Sequence, residues 1–153
     1  MLDIVKVNKE NLTIILHLIQ AYEAEFSLIT KKVPQKNGLF LMDTTIDEEH
    51  PSFLLYKNKF PVGFCIKSTH DRRHDIAEFY VVPSMRAQEL GTSFAIEIFK
   101  YYPGSWQVRQ IEGADKARAF WRKAIGKFTN NNFTESVVED HYWGKVTRQL
   151  FES

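Results

Sequence analysis

Ile76-Ala77-Glu78-Phe79-Tyr80-Val81-Val82-Pro83 runs through Ser84-Met85-Arg86-Ala87-Gln88-Glu89 into Leu90-Gly91-Thr92-Ser93-Phe94-Ala95-Ile96-Glu97-Ile98-Phe99-Lys100. The apolar run that Pro83 stops reads as a strand. The polar residues after it read as a tight loop, and the apolar residues at helical spacing beyond as a helix. A loop that feeds a helix start presents backbone N–H groups with no acceptor inside the helix. Those groups, with the positive end of the helix dipole, suit a phosphate or pyrophosphate. Arg86 adds a positive charge at the mouth of the loop, and Thr92 and Ser93 add hydroxyl donors. Many α/β proteins use the same order of elements for packing alone, so the stretch points to a fold class before it points to a ligand.

The flanking sequence supplies the rest of an α/β domain. Residues 4–7 read as a first strand. Ile14, Ile15, Leu18, Ile19, Tyr22 and Phe26 then recur at helical spacing, with Asn8 or Asn11 as the cap. Residues 27–51 look irregular, punctuated by Pro34, Gly38 and Pro51, and a connection of that length is often functional. Residues 52–56 and 61–68 read as a hairpin about Lys57-Asn58-Lys59, and 70–75 as a charged turn. Beyond the central stretch come a strand at 106–111, a helix at 115–125 and a closing pair of strands at 133–138 and 145–151.

Composition narrows the class. The 153 residues fit one domain, 1–153, with a sizeable core; 44% are apolar and 14% aromatic. A net charge of +1 argues against a dedicated nucleic-acid binder. No unbroken apolar run approaches the roughly 18 residues of a membrane span, so no membrane partner is expected. The one cysteine, Cys65, sits in an apolar run with nothing nearby to activate a thiolate, and together these features suit the cytoplasm.

The order of elements and two short motifs resemble the GNAT superfamily of N-acetyltransferases over nearly the whole chain. The phosphate-loop pattern of that family, Arg or Gln, two residues, Gly, one residue, then Gly or Ala, aligns with Arg86-Ala87-Gln88-Glu89-Leu90-Gly91. Glu89 stands at the first glycine. The family's later helix, usually Asn, two residues, Ala, two residues, Leu or Phe, then Tyr, aligns with Ala114 to Trp121, where Ala117 and Phe120 match. Ala114 replaces the Asn and Trp121 the Tyr.

The resemblance implies a mixed, largely antiparallel sheet with helices on both faces. It also implies acetyl transfer from acetyl-CoA, as co-substrate and with no metal, to an amine that attacks the thioester directly. Phe79, Val81 and Val82 would hold the pantetheine arm. Arg86, Gln88, Glu89, Leu90, Gly91, Thr92 and Ser93 would hold the pyrophosphate, with Trp121 beside the cofactor. Glu78 and Tyr80 would be catalytic, Glu78 as base. Trp121 cannot donate a phenolic proton, so the thiolate would take its proton from another residue, with Tyr80 and Tyr101 as candidates, from water or from the departing ammonium.

Each of these residues also has a plainer reading. Strict strand alternation puts Ala77, Phe79 and Val81 on one face and Glu78, Tyr80 and Val82 on the other, so Glu78 also fits a solvent-facing or ion-paired strand position. Trp106, Phe120 and Trp121 suit a core. His70 and His74 flank Arg72 and Arg73, which oppose a cation, so a solvated turn is expected there. Lys31, Lys32 and Lys36 read as a solvated cluster. Tyr142, Trp143 and Phe151 suit a homodimer interface. The acceptor, a small molecule or a protein, leaves no pattern. A second reading, an acyl-CoA-binding or protein-interaction module with little catalysis, is kept open by Glu89 and Trp121.

Overall fold

The computed structural model describes residues 2–153. Its elements are β1 (Leu2–Lys6), α1 (Leu12–Thr30), β2 (Ser52–Lys57), β3 (Phe60–His70), β4 (Arg73–Val81), a 3-10 helix (Pro83–Gln88), α2 (Leu90–Tyr101), β5 (Ser105–Ile111), α3 (Asp115–Thr129), β6 (Thr134–Asp140) and β7 (Gly144–Glu152). The strands form one mixed, largely antiparallel sheet in the order β1-β2-β3-β4-β5-β7-β6. Its parallel pair is β4 with β5, in register at His74↔Trp106 and Asp75↔Gln107. Contacts gather the chain into two compact units, residues 2–67 with 77–85, and residues 68–76 with 86–153.

In the first unit, α1 lays one apolar face on the sheet. Ile15 and Ile19, one helical turn apart, are buried with Leu54, Phe64, Ile66 and Tyr80. Lys31 ends the helix in the left-handed conformation (φ 63°) and donates its N–H to the Ser27 carbonyl over 2.8 Å. The helix therefore runs four residues further than its apolar spacing indicates, and only 31–51 lacks regular structure. By length and hydropathy α1 does pass for a membrane span, which unbroken apolar runs do not reveal. Its Ile15, Ile19 and Glu23 are buried in the fold.

Both hairpin turns of β2–β3–β4 are tight. Asn58-Lys59 (φ 50° and 71°) and Asp71-Arg72 (φ 51° and 65°) have positive φ at both central residues, the geometry that matches strand twist. The second turn corrects the reading of 70–75, since the turn proper is two residues and strands run up to and away from it. Strict alternation also fails along β4, where Ala77 packs on the same cluster as Tyr80 and Val82.

Gly63 explains how β3 and β4 approach there. A Cβ on Gly63 would lie 2.5 Å from the Tyr80 carbonyl oxygen and 3.3 Å from the Val81 Cα. Both are backbone atoms that cannot rotate aside. Gly63→Val is expected to destabilise the protein by about 2 kcal/mol. A urea-unfolding midpoint equal to the wild type would contradict that.

The second unit closes around Phe99. Its ring lies 5.0 Å from Trp106, 4.9 Å from Phe151, 5.4 Å from Phe128 and 6.3 Å from Trp121. Trp106 and Phe151 meet it edge to face, an arrangement that adds to simple area burial. Trp106 is fully buried and donates its indole N–H to the Tyr102 carbonyl over 2.8 Å. Phe151 is 5% exposed, so it is a core residue and not the interface residue expected from sequence, while Tyr142 and Trp143 are exposed at the β6–β7 turn. A polar chain runs beside this core: Gln110 and Gln149 exchange amide bonds of 2.7 and 2.9 Å, Gln149 donates to Glu135 over 2.8 Å, and Arg122 grips Glu135 with two donors.

Candidate active site

Glu78 sits in a cleft of the first unit that Ile19, Tyr22, Glu23, Met42, Asp43, Thr44 and Ile66 also line. The space in it that a water-sized molecule can occupy is about 10 Å³, room for roughly one water. The Thr44 hydroxyl donates to Glu78 Oε1 over 3.2 Å. Tyr22, one turn beyond Leu18 on α1, donates its phenol to the same carboxylate. Burial is the main force on Glu78 and lifts its carboxyl to about 7, against the lowering bonds from Tyr22 and Thr44; the charges of Glu23 and Asp43 push the same way as burial. A carboxyl at that value is half-ionised near neutrality, which suits a group that must accept and release protons. The Tyr22 phenol is held well above its usual range, first by burial and then by Glu78. It is thereby a bound donor and a poor acid.

Tyr80 is not one of the residues that line the cleft. It is 6% exposed in the core beneath α1, its ring 5.9 Å from Phe64 and 5.8 Å from Tyr22. Tyr101 is exposed at the end of α2 and stacks edge-on against Tyr102 at 4.9 Å. It is eleven residues along the helix from Leu90, about 16 Å from the start of α2. The group that does reach Glu78 is Tyr22, which helical spacing marks only as a core position.

Lys32 also departs from its expected solvation. It carries an ammonium bonded to Glu23 (2.5 Å), the Leu41 carbonyl (2.9 Å) and Asp43 (3.0 Å). Three acceptors at one ammonium satisfy all of its donors.

In the second unit, the loop after β4 is wound into the 3-10 helix that carries Arg86 and Gln88, both exposed. Glu89 precedes α2 in the left-handed conformation, φ 61°. Only glycine enters that region without a Cβ penalty, which accounts for glycine being usual at this place in the motif. The Glu89 carboxylate turns to Lys123 of α3, at 2.5 Å, and its bond to that ammonium lowers its pKa. Leu90, Gly91 and Thr92 are buried at the first turn of α2, and Ser93 is exposed. Trp121 is buried against Phe99 and Phe120, 6% exposed, so packing accounts for it. Phe79 and Val82 are half-buried, and Val81 is buried.

Cys65 is fully buried, and burial raises its thiol. Among the described residues no three His, Cys, Asp or Glu side chains gather as a metal site.

No protein-family profile matches the sequence, and no curated protein matches it. Solved structures do match in shape. An acetyltransferase from Thermus thermophilus superposes with a TM-score of 0.69 over 100% of this chain and 97% of that one, at 18% identity. An aminoglycoside acetyltransferase in complex with coenzyme A gives 0.70 over 99% and 95%, at 12% identity. An acetyltransferase of the GNAT family from Staphylococcus aureus gives 0.61 over 98% and 99%, at 13% identity. This chain has the GNAT fold.

On a GNAT fold the departures from the motifs take on physical meaning. Glu89 occupies a left-handed position without a glycine and has its charge answered by Lys123. Ala114 begins α3 with no side-chain cap, so the usual Asn is replaced without a substitute bond. Asp43, Thr44 and Lys32 carry no periodic signal, since they lie in or beside the connection that reads as irregular.

Proposed function

We propose that this GNAT-fold protein transfers an acetyl group from acetyl-CoA to an amine, with Glu78 as general base. The observation that carries the reading is the Glu78 carboxyl in its cleft, held at about 7 by burial. The resemblance of the motifs assigns the loop at 86–93 to the pyrophosphate and the main chain of 79–82 to the pantetheine arm. An acceptor enters as an ammonium and gives one proton to the Glu78 carboxylate. The neutral amine attacks the thioester carbonyl carbon, the C–N bond forms and the C–S bond breaks. The thiolate takes the second proton from the same nitrogen, and Glu78 returns the first to water. No phenol is needed as acid in this sequence of steps, which agrees with Trp121 at the position where the motif usually has Tyr.

Calorimetric titration with acetyl-CoA tests the cofactor half. Saturable one-to-one binding is expected, weakened by Arg86→Ala. An absence of binding at millimolar acetyl-CoA overturns the reading. Thiol release with a panel of amines tests the transfer half, and binding without turnover by any amine would favour the acyl-CoA-binding module instead.

Glu89 supplies a further check. Its replacement by glycine removes an anion from the loop and frees a backbone held at positive φ. Glu89→Gly is expected to tighten acetyl-CoA binding roughly threefold or more, since charges at a helix N-terminus act on a bound anion. Weaker binding would mean that the Glu89–Lys123 pair holds the loop in its binding shape.

A further inference from the structure

Two clamps fasten the 31–51 connection to α1. The Gln20 amide donates to the Phe40 carbonyl over 3.0 Å and accepts from the Phe40 N–H over 2.7 Å. One turn further along α1, Lys32 draws Glu23, the Leu41 carbonyl and Asp43 to one ammonium. Lys32 can reach back nine residues because Lys31 turns the chain in the left-handed conformation. The next residue after Asp43 is Thr44, whose hydroxyl binds Glu78.

We propose that Lys32 is a positioning residue for Glu78: it pins Asp43 and the Leu41 carbonyl to Glu23, keeps the Thr44 hydroxyl on the Glu78 carboxylate, and cancels the charge of the two acidic neighbours. The inference rests on the reading of Glu78 as the base. The groups that face Glu78 are Tyr22 and Glu23 from α1, Asp43 and Thr44 from the connection, and the apolar Ile66 from β3. None of them is cationic, so Lys32 is the positive charge that answers this acidic set. Burial pulls its own pKa down, but the bonds to Glu23 and Asp43 outweigh that and hold it above the usual lysine value. The ammonium therefore stays charged across the range in which Glu78 titrates.

Without Lys32 two effects act on Glu78 in the same direction. Glu23 and Asp43 regain full repulsion, and Thr44 is released from its register. Both disfavour the ionised carboxylate.

The test follows the Glu78 carboxyl directly, by carbon-13 NMR of glutamate-labelled full-length protein with no cofactor or acceptor present. The resonance is assigned by its loss in Glu78→Gln. Lys32→Met is expected to move the titration midpoint up by about one pH unit, and Lys32→Arg to leave it near the wild type. Gln20→Ala removes the uncharged clamp alone and is expected to move it less. Lys32→Gln also removes the charge, is expected to move it up as Lys32→Met does, and serves if Lys32→Met does not fold. A midpoint unchanged in a folded Lys32→Met or Lys32→Gln variant, or moved as far by Gln20→Ala, overturns the proposal. The pH dependence of kcat/KM separates this inference from the one beneath it. If the NMR midpoint moves and the acid limb of the rate does not, Lys32 positions Glu78 and Glu78 is not the base.

Discussion

Glu78→Gln is expected to lower kcat by about a hundredfold or more, the usual contribution of a positioned general base, and to abolish the acid limb of the pH–rate profile near pH 7. Glutamine keeps the shape of the side chain and still accepts from Tyr22 and Thr44, so the cleft keeps its packing. What it loses is the capacity to take a proton. Acetyl-CoA binding is expected to stay within a factor of about two, because none of the residues assigned to the pyrophosphate is touched. An unchanged kcat with the best amine would remove Glu78 from the mechanism.

The same substitution is expected to stabilise the fold. Glu78 titrates near 7 in the native protein against 4.5 as an ordinary glutamate. A raised carboxyl binds more protons folded than unfolded between those two values, so stability falls as pH rises through that window. At pH 8 the penalty is on the order of 3 kcal/mol, and glutamine escapes it. The gain in Tm from Glu78→Gln should therefore be small at pH 4.5 and grow up to about pH 7.5. Scanning calorimetry at the two ends decides it, and an equal gain at both ends would mean that burial does not govern the group. A variant that loses activity while gaining stability cannot be explained by misfolding.

The fold was legible where burial imposes a period. Ile15 and Ile19 on α1, and Phe94, Ala95, Ile98 and Phe99 on α2, are buried at the spacing by which each helix is read. Strand ends were less legible, because Asp71 and Arg72 enter positive φ without glycine or asparagine to announce it. Glu78 stood out as a carboxylate inside an apolar run. Its neighbours did not. Tyr22 and Glu23 follow one another on α1 and read as ordinary helix residues. Asp43 and Thr44 occupy a connection whose shape is fixed by Gln20 and Lys32 and by no repeating pattern. A polar side chain that binds a single distant backbone group leaves no trace in spacing. Glu78, Tyr80 and Val82 keep the shared face that alternation gives them, Glu78 beside Ile19, Tyr22 and Ile66 and Tyr80 packed on the same residues, and alternation breaks at Ala77, which lies on that cluster too.

In the second unit the largest effect is expected from Arg109→Met. Asp75 on β4 is 1% exposed at its side chain, and Arg109 on β5 donates to it over 2.7 Å while Gln107 donates over 3.2 Å. Burial raises the Asp75 carboxyl, and the charge and bond of Arg109 act against that rise. Methionine fills the space of the arginine stem and takes away the charge, leaving a buried carboxylate held only by the neutral Gln107 amide and the Ile76 backbone N–H. Breaking such a pair from one side is expected to cost about 3 kcal/mol at pH 8, because the remaining charge is not compensated. The loss should shrink toward pH 5, since without Arg109 the folded-state pKa of Asp75 climbs further above the unfolded value, and the acid, once protonated, carries no charge to bury. Asp75→Asn in the Arg109→Met background removes the charge at every pH and should restore most of the stability at pH 8. Urea unfolding of the single and double variants at both pH values tests the argument. If the double variant is no more stable than Arg109→Met, the cost lies in lost packing of the arginine stem and in the lost pair with Asp140, 3.6 Å away, and not in the stranded carboxylate.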